Sequence, residues 1–111
     1  MTRLVALMAC ALLLAVPSVP AHAEDAPQER QISIDNFTFT PAEITVPRGT
    51  RVVWTNHDDI PHMVVDAANP KAVKSPPMDT GDAYARRFDA PGTYRYFCSL
   101  HPHMQGTIIV R

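Results

Sequence analysis

The sequence predicts an all-β sandwich of about seven to eight short strands, and three observations predict it. Apolar and polar residues alternate through "QISIDNFTFT" and "EITVPRGTRVVWTN". Turn residues such as Pro47-Arg48-Gly49 and Ala90-Pro91-Gly92 punctuate these runs. Beyond residue 24, no stretch carries the period of a long helix.

Taken in order, Ile32, Ile34, Phe37 and Phe39 alternate with polar residues and open the strand pattern. Ile44 and Val46 lead through the turn at residues 47–49 into Val52, Val53 and Trp54, with Trp54 read as core. "HMVVD", "AYARRF", "TYRYFC" and "GTIIV" follow as short extended runs, and Gly92 supplies the positive φ that a turn requires. Arg86 and Arg87 are adjacent on a strand, so they point to opposite faces and form no patch. Residues 67–82, "AANPKAVKSPPMDTGD" with three prolines, read as an irregular surface loop.

The N-terminus reads differently. Met1-Thr2-Arg3 precedes an apolar run from Leu4 to Val16, then Pro17, Pro20 and the small-residue pattern Ala21-His22-Ala23. This is the pattern of a secretory signal peptide over residues 1–23, cut before Glu24. A membrane anchor is disfavoured, because residues 4–16 number 13 where a spanning helix needs about 20. Cys10 would leave with the signal. Residues 24–30 then form a polar, flexible lead-in, and residues 31–111 one small domain, of a size that gains from a bound metal or other staple.

Of the 10 Lys and Arg residues only Arg3 is lost with the signal, so the mature formal charge is 9 minus 11, or −2. The bases are scattered among acids, which excludes a nucleic-acid surface. The mature chain keeps one cysteine, Cys98, in an exported and oxidising setting where an unpaired thiol demands a reason.

The reason lies in "YFCSLHPHM". Cys98, His101 and Met104 are spaced i, i+3, i+6, and Pro102 restricts the backbone of His101, so the segment reads as a tight turn leading into a strand from Gly106 to Val110. Thiolate, imidazole and thioether form a soft donor set that suits copper rather than magnesium, calcium or manganese. "DIPHMVVD" offers a second imidazole, His62, at the start of another strand. Two histidines, one cysteine and a long axial methionine make the blue-copper electron-transfer site. Structural zinc fits poorly and a dithiolate-bridged copper pair is excluded, since one cysteine remains. Cysteine-nucleophile catalysis lacks an oxyanion hole or an oriented triad. His57 reads as a solvated loop histidine, and Asp58 and Asp59 as an exposed acidic pair.

With these residues in view, the chain resembles the cupredoxins, the plastocyanin and amicyanin group of small blue-copper proteins, and follows the amicyanin-like short-loop branch. The resemblance rests on "FTFTPAEITVPRGTRVVWTNHDDIPH" and "FDAPGTYRYFCSLHPHMQGTIIV". It implies a Greek-key β-sandwich, one copper ion per chain held by His62, Cys98, His101 and Met104, and no enzymatic activity. It also implies a monomeric periplasmic carrier serving a dehydrogenase or cytochrome, with no nucleic-acid partner and no membrane anchor. The rim around the ligand loop would be Ile60, Pro61, Leu100 and Pro102. Two positions depart from the family pattern. Met63 stands where Asn often ties the ligand strand to the residue after the cysteine, here Ser99, and His103 stands where amicyanin has Phe. Met63 can still offer its backbone N–H to the Cys98 sulfur. A second reading is periplasmic copper binding or delivery, with Met63, Met78 and His103 as transient ligands. A four-ligand site on a rigid sandwich favours retention, and therefore the carrier.

Overall fold

The computed structural model describes residues 2–3, 5, 11–16 and 28–111. The expected cleavage site before Glu24, Cys10 and most of the lead-in lie outside the described residues. No helix among the described residues is long and apolar enough to cross a membrane.

Among the described residues, eight strands make two four-stranded sheets: β1 (Glu29–Asp35), β2 (Thr38–Thr40), β3 (Glu43–Val46), β4 (Thr50–Asn56), β5 (Val65–Asp66), β6 (Ala83–Phe88), β7 (Gly92–Cys98) and β8 (His101–Val110). One sheet runs β2-β1-β4-β6 and the other β3-β8-β7-β5. After the β1–β2 hairpin the chain crosses between the sheets until β7 and β8 pair antiparallel, which leaves β1 parallel to β4 and β3 parallel to β8. This is the expected all-β Greek-key sandwich. Alternation places Ile32 and Ile34 of β1, Trp54 of β4, Ile44 and Val46 of β3 and Ile108 and Val110 of β8 in one buried cluster between the sheets. Each such side chain contributes on the order of 1.5–3 kcal/mol.

Three segments differ from the sequence-based expectation. β1 starts at Glu29, where Arg51 opposite pairs with the Glu29 carboxylate at 2.9 Å. β8 starts at His101 rather than Gly106, because a register irregularity at Phe97/Cys98 lets the strand carry Pro102, whose missing N–H would break a regular ladder. Residues 67–82 are more than a surface loop: Val73, Ser75 and Met78 are buried, and the segment bridges to Val65 and His62. The physical reason is that β5 is two residues long, so apolar side chains of the connection must close that flank of the core.

Candidate metal centre

Cys98 ends β7 and His101 begins β8, and the two are cross-strand partners around a Ser99-Leu100 turn, which sets both side chains on one face. His62 follows Pro61 in the link between β4 and β5. Its backbone is held in both directions by Met78: His62 N–H donates to the Met78 carbonyl at 3.2 Å and Met78 N–H to the His62 carbonyl at 2.9 Å. The buried connection therefore positions this imidazole. Cys98 and His62 are fully buried, His101 is half-buried, and Met104 is buried on β8 in phase with Ile108 and Val110.

The Cys98 Sγ lies 3.7 Å from His62 Nδ1 and 3.8 Å from His101 Nδ1, and the three donor atoms lie within 4.8 Å of one another. Donors roughly 2.0–2.3 Å from a shared first-row metal and about 120° apart would be separated by about 3.7 Å, so the spacing fits a single ion. The donor set is the one that selects copper. The Met63 N–H donates to Cys98 Sγ at 3.3 Å, as the sequence suggested, giving the sulfur a fixed partner for developing negative charge. Among the described residues Cys98 is the free cysteine, and it is out of contact with solvent.

Asp58 corrects the sequence reading. Instead of forming an exposed acidic pair with Asp59, its carboxylate accepts from His62 Nε2 at 2.7 Å, from Asn36 N–H at 2.6 Å and from Phe37 N–H at 2.9 Å. The Phe37 N–H is the chief cause holding the Asp58 carboxyl below the usual carboxylate range; burial opposes it, and His62 and Asn36 reinforce it. An ionised carboxylate only accepts, so this contact favours the His62 tautomer that carries its proton on Nε2 and turns the Nδ1 lone pair to the sulfur. The one available sequence signal was an acid four residues before a candidate ligand histidine. Nothing in the sequence linked it to Asn36 and Phe37.

Phe37 was likewise missed. Asn36 and Phe37 have φ of 50° and 56°, a conformation that a bulky aromatic rarely adopts, so Phe37 leaves the strand alternation and stands edge-on to His62 at 5.5 Å and His101 at 5.1 Å between ring centroids. Phe37 and Leu100 are the large apolar side chains left exposed outside the N-terminal segment, at 42% and 49%. Pro61 and Pro102 are exposed and Ile60 half-buried beside them. The exposed His103 ring lies 6.4 Å from that of His101. Ser99 Oγ donates to Met63 Sδ at 3.2 Å, so the cross-link that Asn makes in the family pattern is retained here through a weaker thioether acceptor. Met78, a surface ligand in the delivery reading, is instead 1% exposed core.

The chain matches a family described as "Cupredoxin-like domain" over residues 4–110. It is 33% identical over 108 residues to amicyanin-alpha of Methylorubrum extorquens, covering 95% of this chain and 86% of that protein. It is 34% identical over 86 residues to plastocyanin of Scenedesmus fuscus, covering 68% and 88%. Among solved structures it is similar to the copper(I) form of an amicyanin variant, with a TM-score of 0.69 and 33% identity over 80% of this chain and 88% of that one.

Proposed function

For a chain that belongs to the cupredoxin-like family, we propose the function of a blue-copper one-electron carrier, exported to the periplasm, with His62, Cys98, His101 and Met104 as the metal ligands. The observation that carries the reading is the closure of two imidazole nitrogens on one fully buried, unpaired thiol at 3.7 and 3.8 Å. Copper, when bound there, supplies a couple that exchanges one electron.

The protein's own residues hold that centre still. The Met78 backbone fixes His62 from one side and Asp58 from the other, Met63 N–H restrains the sulfur, and the surrounding cluster keeps water from Cys98. Donors that are already in place need little rearrangement on a change of charge, which favours rapid transfer. His101 is the half-buried member, with Phe37 edge-on to it and the exposed Leu100 and Pro102 on either side in the chain, and its ring edge is the route by which an electron enters and leaves. An apolar rim with few charges suits brief docking to a redox protein, with fast release.

The delivery reading is weaker, because two of its transient ligands are engaged: Met78 is packed in the core and Met63 Sδ is held by Ser99. A visible spectrum and voltammetry of the copper-loaded protein test the proposal. An intense thiolate-to-copper(II) band and a reversible one-electron wave are expected. A colourless copper(II) form with a freely reactive thiol would overturn it.

A further inference from the structure

Asp58 is anchored before it touches anything at the centre. Its N–H donates to Asn56 Oδ1 at 2.9 Å and its carbonyl accepts from Thr80 Oγ1 at 2.6 Å, while the fully buried Asn56 spends its amide on the carbonyls of Ile60 and Met78 at 2.9 Å each. From that fixed position one carboxylate meets two separate parts of the molecule. Oδ2 takes both His62 Nε2–H and Phe37 N–H, and Oδ1 takes Asn36 N–H. Phe37 in the left-handed region is a strained aromatic, and strain of that kind persists only where surroundings impose it. The two-residue hairpin between Asp35 and Thr38 requires that conformation at both central residues, and the two N–H bonds accepted by Asp58 tie the turn to the centre.

We propose that Asp58 is the positioning residue of the centre: a single carboxylate sets the His62 tautomer that leaves Nδ1 facing Cys98 and, through Asn36 and Phe37, holds an aromatic ring against His62 and His101. The ligand and its aromatic cover are thus placed by one group. The inference uses the copper reading only in its affinity arm.

Alanine at position 58 is the discriminating change. An asparagine whose single oxygen took the place of Oδ2 would still accept from both His62 and Phe37 and lose only the Asn36 bond, whereas alanine removes the acceptor from all three N–H donors. His62 then loses the partner that fixes its proton on Nε2, and the turn at Asn36 and Phe37 loses its tie. Asp59→Ala, a neighbouring exposed acid with the same loss of charge, is the control.

The experiment is long-range nitrogen–proton NMR on the metal-free full chain, with copper(I) affinity measured by competition against a chromophoric chelator. Wild type should show His62 protonated on Nε2. Asp58→Ala should populate the Nδ1-protonated tautomer or abolish the ring-current shifts between Phe37 and the two histidines, and should weaken copper(I) binding about 10- to 100-fold. Asp59→Ala should change none of these. Wild-type His62 protonated on Nδ1, or an Asp58→Ala protein with both tautomer and Phe37 shifts intact, overturns the proposal. Equal weakening by Asp59→Ala also overturns it, since charge alone would then suffice. If Asp58→Ala does not fold, the wild-type tautomer decides. If wild type binds no copper, the carrier reading fails while the NMR arms still judge Asp58.

Discussion

Gly106 on β8 lies directly opposite Tyr96 on β7, and the Tyr96 ring occupies the space where a Cβ at position 106 would stand. The overlap would fall on Cζ and the hydroxyl of a buried ring that packs on Phe39 and Trp54 at 4.8 and 5.4 Å, so the neighbour cannot swing aside cheaply. Gly106→Ala should destabilise the metal-free protein by about 1–3 kcal/mol. Thermal unfolding checks this, at roughly 4–8 °C per kcal/mol for a domain of this size. An unchanged midpoint would show that β7 and β8 are spaced more widely.

The Tyr96 hydroxyl is buried without a hydrogen bond of good geometry, and burial, opposed only by the neighbouring Trp54 indole, raises its pKa to about 12 from 10.0. Because the folded value is the higher one, the preference for the neutral phenol is fully present below pH 10.0 and is lost as pH rises toward about 12. Stability should therefore fall by about 2–3 kcal/mol across that window. Tyr96→Phe should remove this component of the alkaline loss and cost little at neutral pH, since an unpartnered hydroxyl is being deleted. Denaturant titrations at pH 8, 10 and 12 compare the two proteins.

At the acid end the sign reverses. The Asp58 carboxyl is held below its ordinary range, chiefly by Phe37 N–H, so its contribution is present above the pKa of the unfolded chain and disappears as pH falls through the lower folded value. Metal-free wild type should lose stability below about pH 4. Asp58→Asn should be less stable at pH 7 and show a shallower acid limb. Parallel pH profiles for the two proteins would contradict the geometry.

Cys98→Ser should abolish the visible band and weaken copper binding, because a serine hydroxyl is a harder and poorer donor than a thiolate. Optical titration with copper(II) reads both effects. A band that survives the substitution would remove Cys98 from the centre.

The docking face is tested at Pro102, exposed beside His101. Pro102→Glu puts like charges on two approaching copies and should slow electron self-exchange strongly at low ionic strength, with recovery as salt screens them. NMR line broadening in mixtures of oxidised and reduced protein measures the rate. An unaltered rate with an unaltered visible spectrum would place electron entry elsewhere.

Much of this was legible in the chain itself, for identifiable reasons. Strand alternation exposed the sandwich because one face of most strands is buried. The thiol and imidazole at three-residue spacing pointed to Cys98 and His101, which the structure brings together, because they are local in sequence; Met104 as a ligand belongs to the proposal. Asp58 was not legible as a support for His62 and Phe37, since its bonds to Asn36 and Phe37 span 22 and 21 residues. Nor was the turn at Phe37, because a phenylalanine in an alternating run says strand, while here it is a central residue of the two-residue hairpin between Asp35 and Thr38. The buried side of residues 67–82 was hidden by prolines, which mark irregular backbone without saying which side chains it buries.

The place of β8 has a consequence for how the chain matures. It lies inside its sheet, between β3 and β7, and its pairing with β3 joins residues near 45 to residues near 108. Long-range closure of this kind is slow and comes after local hairpins. The proposed ligands His101 and Met104 ride on that last strand, while Cys98 ends β7 and His62 lies in the link between β4 and β5. A chain cut short before β8 holds only His62 and Cys98 of the proposed donor set, so metal capture would report that the C-terminal strand is present and paired, and truncated chains would be left without it.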